Sequence, residues 1–132
     1  MNRARTYAVS AVVMLALDLL WLGVIAPPLY QREVGVLMRA QPGVIAAALF
    51  YMIYLVGVNE FVIHAMPAGA SRARTALRGA FFGFVAYATF DLTALAVLNG
   101  WTPFITAVDM AWGAALTAIV SAAAFTRAPN AA

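Results

Sequence analysis

The chain has 132 residues, of which 65% are hydrophobic and only 10% are charged. Soluble domains carry about 25% charged residues, so this composition excludes a soluble globular protein. The net charge of +3 comes from basic residues without a dense cluster, which argues against nucleic-acid binding, and the lack of cysteine excludes disulfides and thiolate-bound metals.

Apolar runs of about 20 residues recur four times, and such runs are typical of helices that cross a bilayer. We expect an all-α, integral membrane four-helix bundle that forms one domain over residues 1–132. Its spans are placed at about residues 7–26, 43–64, 76–98 and 103–125.

The first span is expected to end at Pro27 and Pro28, because proline cannot continue a helix. Its length and the presence of Asp18 distinguish it from a cleavable signal peptide, so we expect a retained helix. Residues 29–43 then predict a short amphipathic helix in the membrane interface, with an ordered loop as the alternative. Its apolar face comprises Tyr30, Val34, Leu37 and Met38, and its arginines Arg32 and Arg39 lie on another face.

The third and fourth spans form a hairpin whose turn is Asn99-Gly100-Trp101-Thr102. Thr102 and Pro103 predict the N-cap and the first residue of the fourth helix. Small residues predict close packing of the two helices within one bundle and not a dimerisation motif. These residues are Gly79 and Gly83 in the third span, and Ala111, Ala114, Ala115 and Ala118 in the fourth.

The arginines predict that both termini lie in the cytoplasm, because cytoplasmic segments of membrane proteins are enriched in basic residues. The expected location is therefore the bacterial inner (plasma) membrane, with a multi-pass topology. Six arginines lie on one side and two on the other: Arg3, Arg5, Arg72, Arg74, Arg78 and Arg127 against Arg32 and Arg39.

Asp18, Asp91 and Asp109 lie inside apolar spans, where a carboxylate needs a partner, a proton or a water-filled cavity. At 1.5 Å per residue, all three fall roughly 10–14 Å below the outer boundary, in one layer. Without a basic residue at that depth, repulsion and desolvation would keep at least one carboxyl protonated. We expect the layer to bind a proton, a cation, or the hydroxyl and amine groups of a ligand.

Two of these aspartates also have a structural interpretation. Thr106 and Asp109 have the spacing of a capping box, so the alternative role of Asp109 is to cap a helix that begins at Thr106. The alternative for Asp91 is a structural hydrogen bond to a neighbouring helix. Asp18 lies in mid-helix and has no capping alternative.

Aromatic residues accompany the aspartates. Trp21 and Trp112 each follow an aspartate by three residues, so each indole is expected near the aspartate of its own helix, where it could donate a hydrogen bond. The alternative is that the tryptophans only fill the bundle or mark the interface. Candidate wall residues of the same site are Tyr51, Tyr54 and Tyr87.

Glu60 and His64 are four residues apart near the cytoplasmic end of the second span, a spacing that predicts a shared face and a polar pair. They form either an interfacial pair or a proton relay. A single histidine is too little for a transition-metal or haem site, so no metal and no cofactor are expected. An all-carboxylate site for a divalent cation is the less favoured alternative.

Five short motifs extend over nearly the whole chain. They are Asp18-x-x-Trp21, Phe50-Tyr51-x-x-Tyr54, Tyr87-x-x-x-Asp91-Leu-Thr93, Gly100-Trp101 and Val108-Asp109-x-x-Trp112-Gly113. With these motifs the chain resembles an uncharacterised bacterial family of four-helix predicted integral membrane proteins, a domain of unknown function. The resemblance implies the four-span fold and the aspartate sites, and it implies no activity. Phe90 and Ala94 depart from the family pattern, which has tyrosine and asparagine in these neighbourhoods.

The favoured hypothesis is proton-linked transport or binding of a small cationic or polar solute at the carboxyl layer. The alternatives are an accessory or assembly subunit of a membrane complex, or an intramembrane acid/base enzyme that acts on a lipid or isoprenoid. Because four helices are few for a complete pathway, transport predicts a homodimer or a larger complex. Expected partners are the lipid bilayer and a small solute or lipid, and no nucleic acid.

Overall fold

The computed structural model describes residues 2–126, and within them all regular structure is helical. The α-helices are α1 (Arg3–Leu20), α2 (Ala26–Val34), α3 (Val44–Gly57), α4 (Arg72–Val97) and α5 (Pro103–Ala124). A first π-helical segment, Trp21–Ile25, joins α1 to α2, and a second π-helical segment, Val58–Ile63, extends α3. A single 3-10 turn, Gly35–Leu37, follows α2.

Four continuous helices are long and apolar enough to cross a membrane, which confirms the predicted four-span, all-α fold. They are Arg3–Leu37, Val44–Ile63, Arg72–Val97 and Pro103–Ala124.

The first span does not end at the two prolines as predicted. In the first π-helical segment the Ala26 N–H bonds to the carbonyl of Trp21, five residues earlier. Pro27 and Pro28 then occupy the first turn of α2, where helix N–H groups need no partner, so they do not stop the helix. The predicted amphipathic helix is thus α2 itself, continuous with the first span and anchored by buried Val34.

Helix α5 lies at the centre of the bundle and contacts the other three spans. Its closest neighbour is α4, because Gly79 and Gly83 allow the two backbones to approach. A Cβ at Gly79 would lie 2.7 Å from the Thr117 carbonyl oxygen, and a Cβ at Gly83 would overlap the Gly113 carbonyl. The predicted packing role of the two α4 glycines within one chain is confirmed.

The α5 side of this contact differs from the prediction. It consists of Gly113, Thr117 and Ser121, which are buried, whereas Ala111 and Ala115 are exposed. Serine and threonine side chains are small, and the Thr117 hydroxyl donates to the Gly113 carbonyl of its own helix, so both residues allow close approach. The face of α5 that meets α4 therefore contains Gly113, Thr117 and Ser121, and the exposed alanines lie on a different face of the helix.

The hairpin between α4 and α5 has the predicted turn. Gly100 adopts a φ of +91°, in the left-handed region that favours glycine. The Thr102 side chain accepts a hydrogen bond from the Ile105 N–H at 3.2 Å, and α5 begins at Pro103. The alternative of a helix that begins at Thr106 with Asp109 in its capping box is therefore wrong.

The two ends of the described chain lie side by side, since Arg5 Nη1 donates to the carbonyl of Ala124 at 3.1 Å. Arg3, Arg72 and Arg78 also make their polar contacts at this end of the bundle. Arg127, which contributed to the predicted orientation, lies outside the described residues. The location of this end in the cytoplasm stays a prediction.

Candidate functional site

The three membrane aspartates come from three different helices and lie at one level of the bundle. Asp91 on α4 is 0% exposed, Asp18 on α1 is 6% exposed, and Asp109 on α5 is half-buried. The carboxyl group of Asp91 lies beside that of Asp109, close enough for a hydrogen bond between them when one carries a proton. The interior of the bundle thus contains a carboxyl pair and a third carboxyl near it.

Asp18 is held by a donor from the opposite helix. Trp112 Nε1 donates to Asp18 Oδ1 at 3.1 Å, and the Tyr51 side chain lies beside the same carboxyl. Trp21 stacks on Trp112, with ring centroids 4.5 Å apart and an interplanar angle of 6°. Each tryptophan was expected near the aspartate of its own helix. The helices α1 and α5 run in opposite directions. The α5 residue that reaches Asp18 is therefore Trp112, which lies about one helical turn after Asp109.

Asp109 also has a donor, the hydroxyl group of Tyr30 on α2. Sequence reasoning assigned Tyr30 to the face of a separate interfacial helix and missed this contact. Because the helix continues through Pro27 and Pro28, Tyr30 lies over the end of the bundle, where its ring meets Trp21 edge to face at 6.5 Å.

Asp91 differs from the other two aspartates. Among the described residues, neither of its buried carboxyl oxygens has a hydrogen-bond donor. The adjacent Thr89 and Thr93 donate to carbonyls of their own helix, those of Val85 and Phe90, at 2.9 Å. Among the described residues, a hydrogen bond from Asp91 to a neighbouring helix is therefore possible only with Asp109 on α5, and it needs a proton.

Basic side chains do not compensate the carboxyl layer. In residues 2–126 the ion pairs are Arg3 with Glu60 and Arg32 with Glu33, and neither involves a membrane aspartate. Nor does this part of the chain bring three or more His, Asp or Glu side chains together as a metal-binding group. Only a proton, a ligand or water can satisfy the Asp91 carboxyl.

A cavity of about 390 Å³ reaches this carboxyl pair. It opens to the side of the bundle, because the Cα atoms of α3 and α4 stay more than 8 Å apart and the backbone of α4 comes close to the second span at the second π-helical segment. Side chains such as Tyr54 and Tyr87 still meet across the gap. The cavity is lined by Phe50, Ala86, Tyr87, Phe90, Asp91 and Asp109.

Tyr87 lines the inner side of the cavity, and Tyr54 packs against it. The Tyr54 hydroxyl lies 2.6 Å from Thr117 Oγ1, which itself donates to the Gly113 carbonyl at 2.7 Å. Tyr54 therefore donates this bond. The Tyr87 ring meets Tyr54 at 6.1 Å, nearly perpendicular, and packs against Gly113, where a side chain would overlap it.

Further buried polar groups lie between the carboxyl layer and the other end of the bundle, and sequence reasoning missed them. Asn59 Nδ2 donates to Ser10 Oγ at 2.9 Å and to the Leu55 carbonyl at 2.8 Å. The sequence does contain a signal for them, because the buried residues of α1 recur every four positions. They are Thr6, Ser10, Met14 and Asp18. The fully buried polar residues are Thr6, Ser10, Asn59, Thr75, Thr117 and Ser121.

Glu60 and His64 do not form the predicted direct pair. Glu60 accepts from Tyr7 at 2.9 Å and from Arg3, whereas His64 Nε2 lies 2.8 Å from Thr6 Oγ1. The cause is the second π-helical segment: the His64 N–H bonds five residues back, so residues four apart no longer align. Burial lowers the pKa of His64, and the nearby Arg3 lowers it further.

A family model described as "Predicted membrane protein (DUF2177)" matches residues 4–126, which include all four spans and the three membrane aspartates. Comparisons with curated proteins and with solved structures find no match.

Proposed function

Because the chain belongs to the DUF2177 family of predicted membrane proteins, we propose a function for its carboxyl layer. This member binds a proton at the Asp91–Asp109 pair in exchange for a small cationic or polar solute, as a step in proton-linked transport. The observation that carries the proposal is that Asp91 is fully buried without a donor to either oxygen.

The proton belongs to Asp91 and not to its neighbours. Asp109 accepts from Tyr30 and Asp18 accepts from Trp112, and such bonds favour the ionised form of a carboxyl. Asp91 accepts none, so in its protonated form it donates to Asp109, and the pair carries one negative charge. The other ionisable groups near this pair are the phenols of Tyr30 and Tyr87 and the third carboxyl, Asp18.

Solute and proton compete for the same place. A cation that enters the pair stabilises two negative charges, so Asp91 releases its proton as the cation binds. A neutral amine accepts the Asp91 proton and stays between the two carboxylates as its ammonium ion. A neutral hydroxyl group donates to Asp109 while Asp91 keeps its proton. Passage across the membrane in this scheme takes place in a homodimer or larger complex in the bacterial inner membrane, with both chain ends in the cytoplasm.

The test is carboxyl labelling by a hydrophobic carbodiimide, which attacks protonated buried carboxyls, followed by mass spectrometry at several pH values. We expect the labelling of Asp91 to depend on pH, and Asp18 and Asp109 to be labelled far more slowly. Glu33, which lies outside the layer, is the reference carboxyl. Failure of all three aspartates to be labelled at any pH, while Glu33 reacts with a water-soluble carbodiimide, overturns the proposal.

Two conservative variants sharpen the test. Asp91→Asn removes only the titrating proton, so it is expected to abolish pH-linked solute flux in vesicles while the free energy of unfolding is unchanged or raised. Asp18→Asn is the matched control. It is expected to lower the free energy of unfolding, because it weakens the hydrogen bond from Trp112. A flux that persists at wild-type rate in Asp91→Asn contradicts the proposal.

A second candidate function is supported by the same carboxyl pair. A protonated acid beside a carboxylate is also the arrangement that acid/base enzymes use to give and remove protons. An altered lipid or isoprenoid profile in cells that lack the protein, restored by wild type and not by Asp91→Asn, would favour this enzyme over transport. Tolerance of Asp91→Asn in every assay, with a larger partner that co-purifies, would instead favour an accessory subunit.

A further inference from the structure

We infer that the ligand of the Asp91–Asp109 pair is an amphiphile with an amine or hydroxyl head and a hydrocarbon tail, which enters from the bilayer between α3 and α4. The inference rests on the proposed function, since it names the chemical class of the ligand that this pair binds.

The first argument is the direction of the opening. The cavity lies between two helices whose backbones stay apart at this level, and its floor is α5. The rings of Phe50 on α3 and Phe90 on α4 flank it and are 45% and 56% exposed on the apolar outside of the bundle. A molecule that approaches from the hydrocarbon therefore meets the cavity directly.

The second argument is the closure of the aqueous side. Trp101, in the turn between α4 and α5, packs edge to face on Phe90 with ring centroids 5.4 Å apart. On the inner side Tyr87 lines the cavity and packs on Tyr54, which is fixed to Thr117. The bilayer route is the open one.

The third argument is the polarity of the walls. Phe50, Ala86 and Phe90 supply hydrocarbon and aromatic surface near the opening. The half-buried carboxyl group of Asp109 supplies acceptors at the far end, beside the fully buried Asp91. A head group that donates hydrogen bonds fits these acceptors, and an anionic head group is repelled. The volume of about 390 Å³ falls within the range of about 300–1,000 Å³ that is usual for small-ligand sites.

The bundle provides its own control surface. A second groove of about 450 Å³ lies on the same side of α4, lined by Phe61, Phe81, Val85 and Arg78 among others. Its walls are as apolar as those of the cavity, but its charged residue is an arginine whose Nε donates to the Phe61 carbonyl at 3.1 Å. An amphiphile that followed apolar surface alone would occupy both places equally.

The test is photo-crosslinking in phosphatidylcholine vesicles with a dodecylamine that carries a diazirine in its tail, and with a dodecyl sulfate of the same design. We expect the amine to crosslink at Phe50, Ala86 and Phe90, and this signal to fall about tenfold in Asp91→Asn. The sulfate is expected to leave these three residues unlabelled. Equal crosslinking of both grooves by the amine, an unchanged signal in Asp91→Asn, or equal labelling by the sulfate overturns the inference.

A second pair of variants leaves the carboxyls in place. Ala86→Leu fills the cavity and is expected to reduce crosslinking at Phe90, whereas Val85→Leu, in the control groove, is expected to leave it unchanged. Carbodiimide labelling of wild-type protein in the same vesicles separates the two proposals. If Asp91 is labelled with a pH midpoint but the amine does not reach the cavity, the amphiphile is wrong and the proton site stands. If Asp91 is not labelled, the proposed function itself fails.

Discussion

Trp112 and Asp18, 94 positions apart in the chain, are joined by a hydrogen bond of 3.1 Å from the indole nitrogen to a carboxyl oxygen. The bond connects α5 to α1 at the level of the carboxyl pair. Since Asp18 is 6% exposed, the loss of this donor leaves a buried acceptor without its partner.

We expect Trp112→Phe to lower the free energy of unfolding by about 1–3 kcal/mol, the usual cost of a buried polar group that loses its partner. Phenylalanine keeps an aromatic ring against Trp21, so the indole N–H is the main group removed. The measurement is equilibrium unfolding in detergent micelles. Trp101→Phe is the matched control, because the Trp101 indole N–H has no hydrogen-bond partner in the described chain. Equal losses in the two variants would contradict this account.

Gly83→Ala is expected to destabilise the bundle by about 1–3 kcal/mol or more, as overpacking of a filled interior does. The added Cβ would overlap the carbonyl of Gly113, a backbone atom that cannot rotate away. Thermal unfolding in micelles measures the loss. Gly23→Ala is the control, since a Cβ at Gly23 has no atom within 4 Å. A Gly83→Ala protein as stable as Gly23→Ala would show that α4 and α5 do not pack this closely.

The stability of the protein is expected to depend on pH through His64. Its pKa in the folded protein lies below the ordinary value of 6.5, so the unfolded chain binds the proton more readily. The free energy of unfolding should therefore fall as the pH is lowered through 6.5, and level off below the folded pKa. The groups that face the imidazole are Thr6, Tyr7, Arg3 and Glu60.

The measurement is unfolding in micelles between about pH 5 and pH 8, where histidine is the side chain that ordinarily titrates. His64→Gln keeps a polar partner for Thr6 and removes the titration, so its stability should change less over this range. The difference in pH dependence between the two proteins gives the contribution of His64 alone, because the carboxyl layer is the same in both. An identical pH dependence in wild type and His64→Gln would contradict the prediction.

Hydropathy predicted the four spans, and residue counting predicted that Asp18, Asp91 and Asp109 share one level. Both depend on position along a helix, which the sequence records directly. The direction in which each side chain points is different. Because lipid is as apolar as a packed interior, hydrophobic residues do not mark the inner face of a membrane helix. The alanines of α5 were therefore taken for its packing face, and Thr117 and Ser121 were overlooked.

The two π-helical segments explain the other differences. Each adds about one residue to a turn and so rotates the side chains beyond it. The first brings Tyr30 over Asp109, and the second gives Glu60 and His64 different hydrogen-bond partners. A regular period of 3.6 residues cannot reproduce either rotation. The prolines at 27 and 28 signal a change in the first span, but they do not reveal that the helix continues.

The central position of α5 has a consequence for biosynthesis. The ribosome makes α5 after the four helices that precede it, yet α5 supplies the donor for Asp18, the acceptor for Tyr30 and the surface for Gly79 and Gly83. Before it enters the membrane, α1 and the second span can already pair through Ser10 and Asn59, and α4 can pack on the second π-helical segment. The carboxyl layer, in contrast, is completed only once α5 is inserted.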